Sequence, residues 1–190
     1  MKKRYTYMVR LVFCGALMVI MAGIAPSPVS AATSAEIDKK VEIALESLYR
    51  SSPAARELST VAKGILVFPD IVKGGLIVGG QYGEGALLVR GKTVGYYNTV
   101  AASYGLQIGV QSFGYAMFLM TDEALQYLQK SSGWEIGVGP SVVVVDKGLA
   151  KNLTTSTAKD DIYAFAFGQK GLMAGLGLQG SKITRINPDK

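Results

Sequence analysis

The chain has 190 residues, of which 49% are apolar and 18% are charged, and its formal net charge is +6. This length and apolar content favour one globular domain with a sizeable core. The Lys and Arg residues are scattered rather than clustered, so the chain lacks the strong basic footprint of a nucleic-acid-binding protein. Removing residues 1–31 takes away four positive charges and no negative ones, which lowers the net charge from +6 to +2. The basic character therefore belongs largely to the start of the chain.

Residues 1–31 have the pattern of a secretory signal peptide. Basic residues within 2–10 precede an apolar run at 11–25, and small residues follow at 29–31. The run is about fifteen residues long, short of the ~20 that span a bilayer, so an uncleaved membrane anchor is the weaker alternative. We expect cleavage after about Ala31 and export to the periplasm or cell envelope of a bacterium. The remaining domain, residues 32–190, divides into a helical part at 33–63 and a sheet part at 64–187.

The first helix is predicted from a capping box and an apolar stripe. Thr33 and Glu36 have capping-box spacing, and apolar residues then recur at helical spacing to about Arg50. The residues of this stripe are Ile37, Val41, Ala44, Leu45 and Leu48. Such a stripe suits either a helix that covers the sheet or one that contacts lipid, and both interpretations stay open.

A second, shorter helix is predicted immediately afterwards. Ser52 suits its N-cap and Pro53 its first turn, Leu58 and Val61 are expected to point inward, and Gly64 is expected to end it.

Residues 65–118 alternate with a period of two, which predicts four or five antiparallel strands. Breaks are expected near 69–70, at 90–92 and around 98–103. A short helix should begin at Thr121 and Asp122 with Leu125 and Leu128 inward, followed by strands at 135–139 and 141–145 and a closing hairpin at 162–180. These elements predict an α+β fold: a mostly antiparallel, curled or barrel-like sheet of about eight strands, with N-terminal helices and one short inserted helix.

Glycine precedes glutamine by two residues at four places: 79/81, 105/107, 109/111 and 177/179. In a strand, residues two apart share a face. In one interpretation, the glycines let other helices or strands pack closely, and the glutamines form hydrogen bonds with one another inside the protein. In the other, these residues line a narrow, partly polar lumen.

Common catalytic and metal chemistry is excluded by composition. The chain has no histidine, and its one cysteine, Cys14, lies in the apolar run, which excludes Ser-His-Asp and Cys-His catalysis and every metal site that uses His or Cys. Neighbouring carboxylates at 122–123 and 160–161 diverge on a helix or strand. We therefore predict no enzyme, metal or cofactor, and an enzyme that assembles distant carboxylates is a third alternative.

Several segments together resemble the SYLF domain, a lipid-binding module of bacteria and eukaryotes. The similar segments are residues 62–69, the glycine-rich stretches 73–85 and 105–109, the Gly139-Pro140 pair and the hairpin 162–180. The similarity runs from about 54 to 186, and it departs from the family at 95–98, where many members have a tryptophan followed by a proline.

The resemblance implies phospholipid or a membrane surface as the partner. The residues expected to contact lipid are Leu45, Leu48, Lys63, Lys73, Tyr82 and Tyr104. Leucine-sized side chains would enter the lipid, lysines gathered at one rim would meet phosphate, and tyrosines would lie at the interface. In the alternative, the tyrosines and leucines pack in the ordinary way inside the fold, and the lysines are solvated residues at the ends of helices or strands.

The expected function is an exported, non-enzymatic domain that binds lipid or a membrane surface in the cell envelope. Eukaryotic relatives of the family also bind the actin cytoskeleton, which leaves a protein-interaction or structural envelope module as the alternative. A small outer-membrane barrel is disfavoured because strands such as 142–145 carry apolar residues on both faces.

Overall fold

The computed structural model describes residues 32–75, 78–104, 109–146, 148–170, 178 and 180–190. The predicted signal peptide, the second strand of the closing hairpin and the Gly-Gln pairs 105/107 and 177/179 lie outside the described residues. The helices are α1 (Ser34–Ser51), α2 (Pro53–Ser59) and α3 (Asp122–Lys130), with a short 3₁₀ helix at Leu149–Lys151. The strands are β1 (Gly64–Gly75), β2 (Val78–Val89), β3 (Lys92–Tyr104), β4 (Gly109–Leu119), β5 (Trp134–Glu135), β6 (Val142–Val145), β7 (Ile162–Lys170) and β8 (Lys182–Ile186).

These strands form one sheet in the order β5-β8-β3-β2-β1-β4-β7-β6. Every pair is antiparallel except β6 with β7, which is parallel. The sheet curls strongly into a half-barrel, so the predicted α+β fold with a curled sheet is confirmed.

The capping predictions for α1 and α2 are confirmed. Thr33 Oγ1 accepts from the backbone N–H of Glu36, and the Glu36 carboxylate accepts from the backbone N–H of Thr33 at 2.9 Å. Ser52 caps the end of α1 and also begins α2, where its hydroxyl accepts from the backbone N–H of Ala55. The prediction for the end of α2 is wrong. That helix ends at Ser59, the chain turns at 60–63, and Gly64 is the first residue of β1. Val61, which was expected to point inward, lies in this turn and is exposed.

Two predicted breaks in the sheet are also wrong. β3 runs through 98–103 without interruption, and β1 passes through Pro69 by a bulge, where its register with both β2 and β4 shifts. Proline has no N–H for the ladder, and a bulge leaves that position unpaired while the strand continues. Glycines on both neighbours admit this bulge. A Cβ at Gly85 would collide with the Val67 carbonyl oxygen, and one at Gly114 would lie 2.7 Å from the Pro69 carbonyl oxygen.

The strand predicted at 135–139 is only the two-residue β5, because Gly137 and Gly139 adopt positive φ values that end it.

Both faces of the sheet are buried over much of its area. The first face packs against α1 and α2, with Val67, Ala86, Ala116, Phe118 and Phe165 under the helices. The second face packs against α3 and Trp134, with Leu66, Leu87, Met117, Leu119 and Ile183 in the interior. All five residues of the predicted α1 stripe are buried, so in this structure α1 covers the sheet.

Candidate functional site

One end of the sheet is left open on its first face, because α1 covers only the other part. Near its start, the backbone N–H of Ala32 donates to the Glu84 carboxylate at 3.3 Å. Farther along, Leu45 lines a groove together with Leu88 and Gly91. The helix therefore runs from the middle of β2 toward the β2–β3 turn, and the opposite half of β2 lies outside its cover.

Four apolar side chains lie exposed on this open half of the first face, and we call them the open patch: Val72, Tyr82, Val100 and Val110. They come from four adjacent strands. Val72 is opposite Tyr82, and Tyr82 is opposite Val100. Val110 is opposite Gly74, one diagonal step from Val72. Their exposed fractions are 48%, 48%, 47% and 77% in the order given. Contiguous apolar groups of this kind mark interaction surfaces.

Tyr82 gives the open patch its one polar group. Its hydroxyl donates to Glu84 Oε1 at 2.7 Å. Burial of the hydroxyl, with this hydrogen bond and the Glu84 charge, raises the pKa of Tyr82 to about 12. The phenol is therefore neutral at physiological pH, and its ring presents apolar surface beside Val72 and Val100.

A polar strip lies on the second face at the same end of the sheet. Lys73 of β1 is opposite Gln81 of β2 on one side and Gln111 of β4 on the other. Gln81 is buried and donates to the hydroxyl of buried Ser181 at 2.9 Å. The open end of the sheet therefore carries an apolar surface on one face and a lysine between two amides on the other.

The structure brings some of the predicted lipid-contacting residues together and separates others. Lys73, Tyr82 and the end of β3 at Tyr104 share the open end, although the Tyr104 side chain lies outside what the structure describes. Leu45 and Leu48 lie on the buried side of α1, facing the sheet, and are 8% and 2% exposed. They can therefore reach lipid only if this helix leaves the sheet.

The predicted common rim of lysines does not form. Lys63 precedes β1 and Lys73 lies near its other end, so ten residues of extended chain, about 30 Å, separate them. Lys63 instead pairs with Asp122, with Nζ 3.6 Å from Oδ2. A groove beside both lysines is excluded by this separation. Grooves of about 610 and 500 Å³ lie elsewhere, next to Arg185 and next to α1.

Sequence reasoning missed three of the four residues in the open patch. Val72, Val100 and Val110 lie on strands whose apolar residues occur on both faces, so alternation alone could not show which face was uncovered. The length of the first helix could have shown that part of the sheet is left uncovered. At 18 residues the helix is about 27 Å long, which is shorter than strands of 11 to 13 residues.

Among the described residues, no group of His, Cys, Asp and Glu could hold a metal ion. Over the same part of the chain, every helix is too short or too polar to cross a bilayer.

The uncovered apolar end of the half-barrel sheet is a candidate interaction surface. A family model described as "Ysc84: Las17-binding protein actin regulator" matches residues 100–188, from within β3 to beyond β8. The domain of this family is also called SYLF, and the match confirms the resemblance predicted from the sequence. No curated protein matches the chain.

Proposed function

We propose that this protein is an exported, non-enzymatic domain that binds a lipid membrane surface through the open patch. The observation that carries the proposal is the group of four exposed apolar side chains on adjacent strands of an otherwise well-covered sheet. The similarity to the SYLF family supports lipid as the partner. The signal-peptide pattern of residues 1–31 supports export.

The open patch is large enough for reversible membrane binding. The exposed fractions of its four side chains together amount to about two fully exposed ones. Transfer of that surface into lipid stabilises the complex by about 3–5 kcal/mol before ordering costs. This magnitude fits a reversible surface association, to which anionic lipid adds attraction for nearby lysines.

Co-sedimentation with vesicles tests the proposal on protein that begins at Ala32, the start of the compact unit with its own core. Val110→Asp places a charge in the most exposed position of the open patch and should weaken binding at least about tenfold, since the lost burial alone is about 1.5 kcal/mol. Val61→Asp is the matched control, because Val61 is also exposed, at 45%, but lies between α2 and β1. Equal binding by both variants, or no binding by the unmodified protein, would refute the proposal.

A protein partner is the second candidate, and the printed description of the family favours it because it names a Las17-binding regulator of actin. The same open patch would then be the interface, and binding would be to protein rather than to vesicles.

Export is tested separately, by expression of the full chain in a bacterium. The proposal expects a periplasmic product whose N-terminal residue is Ala32 or a close neighbour. Retention of residues 1–31 on a cytoplasmic product would contradict it.

A further inference from the structure

We propose that Glu84 is the binding site for the α-ammonium group that cleavage after Ala31 would create. The inference rests on the export part of the proposed function, because only cleavage turns the backbone N–H of Ala32 into a charged N-terminus. It does not depend on whether the open patch binds lipid.

The nitrogen of Ala32 already lies at the Glu84 carboxylate. Its backbone N–H donates to Glu84 Oε2 at 3.3 Å, and both residues are partly buried. An ammonium group at this position is within ion-pair distance of the carboxylate, so no new space has to open. Cleavage would therefore convert a neutral hydrogen bond into a charge-assisted one, which is about twice as strong.

The charge of Glu84 has no positive partner within the described part of the chain. Its carboxylate accepts from the Tyr82 hydroxyl and from the Ala32 N–H, and both donors are neutral in the uncleaved chain. Asp70 lies directly opposite Glu84 in the β1–β2 ladder, and like charges in that arrangement are destabilising. The salt bridges among the described residues include neither carboxylate. A positive charge at Ala32 would offset both.

An ammonium group also offers hydrogen bonds that the backbone N–H cannot. Asn98 of β3 lies opposite Glu84 on the side away from β1, and its Oδ1 is buried without a hydrogen-bond partner among the described residues. Buried acceptors are normally paired. The single N–H of Ala32 is committed to Glu84, whereas an ammonium has two further N–H donors for neighbouring acceptors such as this one.

The start of α1 gives the ammonium an acidic setting. The next two backbone N–H groups, at 33 and 34, donate to Glu36 and to Asp189, each at 2.9 Å. Lys40, one turn farther along α1 than Glu36, is the basic residue whose charge acts on that carboxylate. An ammonium beside a helix N-terminus is unfavourable by itself, because that end carries partial positive charge. Glu84 is the carboxylate in direct contact that offsets this cost.

The test uses protein that begins at Ala32, with its α-amine either free or acetylated. Acetylation restores a neutral, peptide-like N–H and removes only the charge, so the two forms are matched. Glu84→Gln removes the proposed acceptor charge. Its control is Glu42→Gln, which removes an exposed carboxylate farther along α1. Circular dichroism confirms that each variant is folded.

Urea unfolding of these proteins forms a double-mutant cycle. At a pH below the ordinary α-amine pKa of about 7.7–8.0, loss of the charge by acetylation should raise the unfolding equilibrium constant about threefold more with Glu84 present than in Glu84→Gln. High salt should reduce this coupling. Glu42→Gln should respond to acetylation as the unmodified protein does.

An NMR titration of the Ala32 methyl signal gives a second readout, which needs no variant. An adjacent carboxylate favours the charged amine, so the α-amine pKa should lie above its ordinary range. Glu84→Gln should lower this pKa, and Glu42→Gln should leave it unchanged. The pair therefore stabilises the fold fully below the ordinary α-amine pKa, and this stabilisation is lost as the pH rises through the raised pKa.

The coupling together with a raised α-amine pKa would support the site, even if the protein binds no vesicles. An equal response to acetylation with and without Glu84, or an α-amine that titrates in its ordinary range, would overturn the site and leave export and membrane binding standing. A periplasmic product that begins at a residue other than Ala32 would also leave export standing, and would overturn the site because its N-terminus would lie elsewhere.

Discussion

Leu48→Ala tests whether α1 is a fixed cover of the sheet. Leu48 lies in the last turns of α1, is 2% exposed and belongs to the core cluster under the first face. Truncating a buried leucine removes its burial and leaves a cavity, at a cost of about 3 kcal/mol in the free energy of unfolding. Ile43→Ala is the control on the same helix, because Ile43 is 57% exposed, and its substitution should change stability by less than about 0.5 kcal/mol.

The assay is urea unfolding followed by far-ultraviolet circular dichroism, with the slope of the transition as a check that both variants unfold as the unmodified protein does. A loss of less than about 1 kcal/mol for Leu48→Ala would show that α1 is not firmly docked, and would refute the reasoning.

The same variant separates two routes to the membrane. If lipid binding required the released helix, a weakening of about 3 kcal/mol in its docking would raise the released population more than a hundredfold and alter vesicle affinity strongly. If the open patch makes the contact, the folded variant should bind vesicles within about twofold of the unmodified protein. A larger change would move the contact to Leu45 and Leu48, as the sequence first indicated.

Two further predictions concern stability. Gly85→Ala should destabilise the fold by about 2–3 kcal/mol, because its Cβ would collide with the Val67 carbonyl, whereas Gly80→Ala, with its nearest atom at 3.8 Å, should be neutral or stabilising in urea unfolding. Equal effects would contradict this account of the bulge. Hydrogen bonds from the backbone N–H and hydroxyl of Ser141 hold the pKa of Asp161 below its usual range. The ionised carboxylate therefore stabilises the fold fully at pH values above the ordinary pKa of about 3.9. This stabilisation is lost as the pH falls through the lowered pKa. Because solvent screens this largely exposed carboxylate, Asp161→Asn should cost less than about 1 kcal/mol at neutral pH and progressively less in acid, and a pH-independent difference would argue against that role.

Local signals were read correctly where short-range chemistry decides the structure. The capping box at Thr33, the stripe of α1 and the N-cap at Ser52 depend only on residues a few positions apart. The pairing of β3 with β8, and the parallel pairing of β6 with β7, join segments distant in sequence, and alternation gives no information about such neighbours. The break predicted at Pro69 is wrong because proline normally interrupts a strand, whereas here glycines on both neighbouring strands make room for a bulge.

Only part of the candidate site could be predicted, because residue type is visible in the sequence but the covered and uncovered parts of the sheet are not. The residue types of Lys73 and Tyr82 suit lipid headgroups and membrane interfaces, and both residues lie at the open end of the sheet. Lys63 and Lys73 each fall at the end of a predicted element, but the sequence does not show that these are opposite ends of one strand. Which valines stay exposed depends on where α1 packs, and that is a property of the whole fold.

The order of strands also has a consequence for how the sheet is completed. Strands β1, β2 and β3 can assemble from two local hairpins, and β4 then returns to pair with β1. Their two outer members, β3 and β4, are then covered by β8 and β7 respectively, both drawn from the last 29 residues. Until those residues arrive, the central strands present two unprotected edges to other chains. A chain that stops before Ile162 would therefore keep its four central strands and still be prone to associate edge to edge.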